Sequence, residues 1–149
     1  MMLKQGVNYV GVAIVYFCHD GKGNFIMAKR SQKARDENNK WDIGGGGLDF
    51  DIGVQDTLRK EIKEEYCTNV LSYEFLGYRD VFRINKIQKT HWVTLDFKVL
   101  VDPKMVKIGE PEVFTDLSWF RLEKLPTEIH SQLPIFLNKY QDKLLALSS

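Results

Sequence analysis

The chain has 149 residues, with 21 Lys and Arg against 20 Asp and Glu and 44% hydrophobic side chains. That length predicts a single domain over 1–149, since a chain of this size buries roughly 68–70% of its unfolded surface. A net charge of +1 without a basic stripe excludes bulk binding to nucleic acid or an anionic membrane, so function has to reside in a local site.

Val7 to Cys18 is rich in Val, Ile and Tyr and predicts a buried first strand. The run is too short to span a membrane and lacks a small-residue cleavage site, so a cytoplasmic protein is expected. Cys18 and Cys67 form neither a C-x-x-C pair nor a metal-ligand spacing, which also favours a reducing compartment. The turn cluster Asp20-Gly21-Lys22-Gly23-Asn24 leads into a second strand, Phe25 to Lys29, giving a hairpin. Polar Ser31 to Lys40 reads as turns, and Trp41-Asp42-Ile43 as a short apolar piece. Gly44 to Gly47 follow, then a helix from Val54 to Tyr66 with apolar Val54, Leu58 and Ile62, Gly53 as its N-cap and Asp56 in its first turn. Val70–Ile84, His91–Val101 and Leu117–Leu122 read as strands. A last helix begins near Pro134, with Leu133, Phe136, Leu137, Tyr140 and Leu144 on one face. The pattern predicts a mixed sheet with helices packed on it, an α+β fold.

The segment from Gly44 to Cys67 carries the chemistry. Four glycines permit φ > 0 and let another group approach the main chain closely. No Gly-Lys-Ser/Thr follows and no G-x-G-x-x-G fits, so the run is neither a P-loop nor a dinucleotide fingerprint; a flexible hairpin loop is the plain alternative. At roughly 100° per residue, Glu61, Glu64 and Glu65 fall within about a 100° sector beside the apolar stripe. Unpaired carboxylates flanking a buried face are costly, and a divalent cation is the simplest compensation. A solvated helix with a Lys60–Glu64 pair is the alternative, opposed here by the arc and by the glycines ahead of it.

Gly46 to Thr68 resembles the Nudix box, G-x₅-E-x₇-R-E-U-x-E-E-x-G-U, with U aliphatic. Gly46 takes the box glycine and Glu61-Ile62-Lys63-Glu64-Glu65 its E-U-x-E-E core. Trp41, Ala28-Lys29-Arg30-Ser31 and the stretch from Trp119-Phe120-Arg121-Leu122 through Leu125-Pro126 resemble further features of the MutT-like Nudix hydrolases, so the likeness spans nearly the whole chain. Three box positions depart from it: Ile52 replaces the first glutamate, Lys60 the arginine and Cys67 the last glycine. The first two form a supporting pair in the family, and Asp49 or Asp51 is a substitute for the missing acid. A one-residue slip onto Gly45, Asp51 and Arg59 breaks the apolar stripe and is set aside.

The resemblance implies a Nudix-type α/β/α sandwich, a mixed sheet with the Nudix helix and a C-terminal helix packed on it. It also implies hydrolysis of a diphosphate linkage in a nucleoside di- or triphosphate or related nucleotide derivative, using Mg²⁺ or Mn²⁺ and activated water. By position, Glu61 and Glu64 are catalytic, and Gly45, Glu61, Glu64 and Glu65 hold metal, with Glu112 the candidate later acid. Arg30, Gly46 and His91 face substrate. Tyr9, Trp41 and Trp92 are core aromatics first and base-stacking candidates second. The partner expected is a small nucleotide, with neither nucleic acid nor membrane, and a homodimer is left open. The alternative function is a catalytically impaired Nudix-fold nucleotide-binding or regulatory module, motivated by Ile52 and Lys60.

Overall fold

The computed structural model describes residues 2–145. Its strands are β1 (Gly11–His19), β2 (Phe25–Arg30), β3 (Trp41–Asp42), β4 (Gly44–Gly47), β5 (Val70–Asn85), β6 (Gln88–Val101) and β7 (Phe114–Phe120), and its helices α1 (Val54–Tyr66), α2 (Leu133–Lys139) and α3 (Gln141–Leu144). All seven strands join one mixed sheet whose path is β3-β2-β1-β6-β5, with β4 on β1 and β7 on β2. β1 runs parallel to β6, from Gly11 opposite Trp92 to His19 opposite Leu100. Its other edge is shared, with β4 along the first half and β2 at the end.

Strand alternation sends successive side chains to opposite faces, and both faces are covered. Ile14, Tyr16 and Cys18 of β1 pack with Ile26 and Ala28 of β2, Phe97 and Val99 of β6, and Leu58, Ile62 and Tyr66 of α1. Phe17, Phe25 and Met27 point the other way, onto Leu133, Phe136, Tyr140 and Leu144. The result is helix, sheet, helix, the α/β/α sandwich expected. Among the described residues, no helix is long and apolar enough to cross a membrane.

The structure corrects several element boundaries. Residues 7–10 form a turn, not the start of β1, with the Gly6 N–H bonded to the Tyr9 carbonyl at 2.7 Å. A Cβ on Gly6 or Gly11 would lie 2.3 or 2.6 Å from the Trp92 ring, so the indole occupies the space that these glycines leave. The four glycines are a strand and not a flexible loop, and none of them has positive φ. What they supply is closeness: a Cβ at Gly44 would lie 2.0 Å from the Tyr16 ring, and one at Gly45 2.8 Å from the Ile14 carbonyl oxygen. The two long strands β5 and β6 meet in a tight turn at Lys86-Ile87. β7 starts three residues before the expected strand, and the C-terminal helix breaks at Tyr140 into α2 and α3.

Helix α1 matches its predicted span, with Thr57, Leu58, Ile62, Glu65 and Tyr66 buried. It ends on Cys67 in the left-handed region, φ 57° and ψ 23°, where the N–H caps the Lys63 carbonyl. Glycine is preferred there because a Cβ is strained in that conformation, which gives the last box glycine a physical role. Cys67→Gly is expected to raise stability by about 0.5–1 kcal/mol, the relief of strain exceeding the added unfolded-state entropy. Denaturant melts of the two proteins check this.

Candidate active site

The site is built where α1 crosses β4. Leu58, Ile62 and Tyr66 anchor the helix on the sheet, and this fixes the helix rotation. Glu65 is thereby carried into the interior, only 7% exposed, where the Tyr16 hydroxyl and the Gly45 N–H donate to its carboxylate. The Leu48 N–H bonds the Val12 carbonyl at 2.8 Å. Antiparallel alternation then turns the Gly45 N–H and carbonyl off the β1 ladder, toward the helix side of β4. Glu61 is half-buried, with its carboxyl against bare backbone: a Cβ on Gly46 would lie 2.8 Å from Glu61 Cδ. Glu64, one turn on, is exposed.

The electrostatics of this corner are unbalanced. Burial pushes the Glu65 carboxyl well above the usual carboxylate range, and repulsion from Glu110 adds to it, against the Gly45 hydrogen bond. Glu61 is raised by burial, then by Glu64, Glu110 and Asp49, with Lys60 opposing. Among the described residues, no three His, Cys, Asp or Glu side chains already converge as a metal-binding group. The donor set nonetheless fits a hard cation. Glu61 is close enough to Glu64 and Glu110, and Glu65 to Glu110, for their carboxyls to repel, an oxygen-rich set of the kind such a cation takes.

Glu110, and not the expected Glu112, is the loop acid close enough to repel Glu61 and Glu65. The Gly109 N–H bonds the Glu65 carbonyl at 2.9 Å and docks this loop on the end of α1. Glu112 is exposed, and its contribution is a backbone carbonyl accepting from Ser31 Oγ at 2.6 Å. The neighbouring acids Glu110 and Glu112 were both visible in sequence; what chooses between them is the close fit of Gly109, where a Cβ would sit 1.8 Å from the Glu64 carbonyl oxygen. Tyr16 was missed as well, though period-two alternation along β1 puts it on the helix side.

A cleft of about 290 Å³ opens beside this corner, bordered by Gly44 to Gly47 and Glu65 and by the arginines Arg30, Arg35, Arg79 and Arg83. Arg30 borders the cleft but is held: Nε donates to the Asp36 carbonyl and Nη2 to Asp36 Oδ1, both at 2.9 Å. Arg83 spans Asp36 and Glu37 at 2.8 and 2.9 Å. Of the basic stretch, Arg30 is therefore already held by the acid that follows it. His91 lies on the face of β6 away from the cleft, its Nε2 2.9 Å from Asp80 Oδ1 and its ring on Phe82, whereas its neighbours Trp92 and Thr94 line the cleft. Of the two acids weighed for the missing box glutamate, Asp49 pairs with Lys60 at 3.7 Å, and Asp51 is exposed with φ 67°. Both partners of the Lys60 pair are substantially exposed, so it contributes at most about 1 kcal/mol.

Replacing Glu110 by Gln is expected to raise the Tm of the metal-free protein, by removing repulsion against Glu61 and Glu65, and to shrink the Tm increment given by Mn²⁺. Glu112→Gln leaves both values unchanged. A thermal-shift series with and without EDTA separates the two acids.

Glu37 clamps the far rim, accepting from the Ser131 N–H at 2.9 Å and the Ser131 hydroxyl at 3.0 Å. Burial opposes its ionisation, but Ser131, His130 and Lys40 outweigh it and hold the carboxyl at about 2 instead of 4.5. A lowered folded-state pKa stabilises above the unfolded value and is lost on acidification. The Tm advantage over Glu37→Gln is thus expected in full above pH 4.5 and to close as pH falls through about 2.

Comparison with known proteins agrees with this fold. The model of the NUDIX domain matches residues 8–140. Among solved structures, a MutT NUDIX hydrolase from Burkholderia pseudomallei superposes with a TM-score of 0.77 at 23% identity, over 88% of this chain and 98% of that one. A MutT protein from Methanosarcina mazei Go1 gives 0.75 at 19% identity, over 90% and 94%. The NUDIX domain of Shewanella oneidensis NrtR, complexed with ADP ribose, gives 0.70 at 18% identity, over 95% and 90%. No curated protein matches. These identities establish likeness of fold. With the family match over most of its length, the chain belongs to the NUDIX domain family.

Proposed function

We propose that the protein hydrolyses a diphosphate linkage in a nucleoside di- or triphosphate or a related nucleotide derivative, with Mg²⁺ or Mn²⁺ as cofactor. The observation that carries this reading is the buried Glu65 carboxyl, held by Tyr16 and Gly45 and crowded by Glu110. The NrtR domain complexed with ADP ribose supports a nucleotide derivative as ligand for this fold.

When bound, a divalent cation supplies charge neutralisation of the diphosphate and acidifies water. Glu65, Glu64 and Glu110 are the side chains to hold it, with the off-ladder Gly45 carbonyl as a further oxygen. Glu61, packed on Gly46, orients the attacking water and accepts its proton. The bare edge of Gly46 lets the scissile phosphate approach that carboxylate without a side chain between them.

A second reading, binding without turnover, is favoured by Ile52 and Lys60, because the Lys60–Asp49 pair is more exposed than a firm support for the site would be. A panel of nucleoside diphosphates, triphosphates, nucleotide sugars and dinucleotides distinguishes the two. Turnover is expected only with Mg²⁺ or Mn²⁺, and Glu61→Gln is expected to lower kcat by about 10²–10⁴-fold. Metal-independent activity that survives Glu61→Gln and Glu64→Gln overturns the enzyme assignment. Tight nucleotide binding without product, together with activity gained by Ile52→Glu/Lys60→Arg, establishes the second reading.

A further inference from the structure

Two buried side-chain atoms lack a hydrogen-bond partner among the described residues, Arg79 Nη1 and Thr94 Oγ1. Arg79 and Thr94 are directly opposite each other in the β5–β6 ladder, so their side chains share one face of the sheet. Both residues line the cleft that Gly44 to Gly47 and Glu65 also border. Buried polar groups are almost always satisfied, and an orphaned pair on a cleft floor marks a place where something else completes the bonding.

The surroundings fix what the pair can recognise. Arg79 Nε and Nη2 are spent on Asp96, at 2.7 and 3.0 Å, and Asp96 is fully buried and also accepts from the Tyr140 hydroxyl at 2.6 Å. The Arg79 Cζ lies 5.2 Å from the Phe136 ring centroid, which further fixes the guanidinium plane. The charge of Arg79 is therefore already compensated, while the N–H groups of Nη1 remain available. Asp42 and Glu65 line the same cleft, and Arg79 already holds a carboxylate, so its leftover N–H groups suit a neutral acceptor better than a second anion. The cleft's apolar lining from Val81, Trp92, Leu133 and Phe136 suits a planar ring. A neutral acceptor on such a ring satisfies every one of these conditions.

We infer that Arg79 and Thr94 are specificity-determining residues, reading a carbonyl oxygen or ring nitrogen on the heterocycle of the nucleotide. This rests on the nucleotide-hydrolase reading above. Asp96 and Tyr140 are positioning residues that hold the Arg79 fork so that one nitrogen is left over. Thr94 supplies the second contact, as donor or acceptor according to the ring edge presented.

The test uses nucleosides, which carry the ring without phosphate, and is done in EDTA so that it does not depend on turnover. The probe is the Trp92 indole N–H signal in NMR titrations with the common purine and pyrimidine nucleosides, inorganic phosphate and ribose 5-phosphate. At least one nucleoside is expected to shift that signal saturably, and Thr94→Val and Arg79→Lys each to weaken its binding about fivefold or more. Thr94→Val removes an unpartnered hydroxyl at nearly constant shape, so its Tm is expected to be unchanged or higher. Arg79→Lys retains a cation for Asp96. With the full substrate and metal, Thr94→Val is expected to raise KM by the same factor with little change in kcat.

Phosphate or ribose 5-phosphate moving Trp92 while nucleosides do not overturns the inference, as does nucleoside binding indifferent to both substitutions. Absence of binding by every probe overturns it too. Nucleoside binding that is weakened by both variants, in a protein without turnover on any diphosphate, supports the inference and removes the hydrolase reading instead.

Discussion

A carboxylate taken out of water has to be compensated, and in this fold that requirement falls on Glu65. Its partners come from two strands: the Tyr16 hydroxyl from β1 and the Gly45 N–H from β4. Both contacts require α1 to lie almost on the backbone of β4. A Cβ at Gly44 would strike the Tyr16 ring and one at Gly46 the Glu61 carboxyl, so glycine at these two positions lets the helix come that close. Leu58, Ile62 and Tyr66 fix the rotation that seats Glu65, and Gly109 docks on the same helix end.

The cleft beside it divides its polar groups by state of compensation. Beside α1, acids crowd one another, and burial raises the proton affinity of Glu61 and Glu65. Arg30 and Arg83 are already engaged with Asp36 and Glu37, and Arg79 with Asp96. Crowded acids and partnered arginines thus border one cavity, which a ligand with a charged part and a neutral part can match.

Local physical patterns were legible in the sequence where short-range rules decide them. The 3.6-residue period of Val54, Leu58 and Ile62 gave α1 its span, and the carboxylate arc on its flank located the acidic corner. Alternation in β1 and β2 was enough for two strands, although the start of β1 was misread because Gly6 and Gly11 are shaped by a distant Trp92. Long-range contacts were not legible. Nothing local to Arg30 shows that Asp36 will hold it, and the turn of His91 away from the cleft depends on the registration of β6 against both neighbours. The four glycines suggested freedom of φ, whereas the space that they vacate is filled by groups from β1 and α1. The choice of Glu110 over Glu112 likewise rests on Gly109 meeting the end of a helix more than forty positions upstream in its start, a contact no spacing rule contains.

The parallel pairing of β1 with β6 also governs when these parts can come together. Gly11 faces Trp92 and His19 faces Leu100, contacts separated by about eighty positions, and such distant pairings are slow to form. The β5–β6 hairpin, closed by a tight turn, can form early and locally, carrying Arg79, Thr94 and Asp96 already opposed. β1 finds β2 and β4 locally, but it has no such shortcut to β6. It leaves the ribosome well ahead of that neighbour, and its Ile14, Tyr16 and Cys18 need shielding from other chains until the sheet closes.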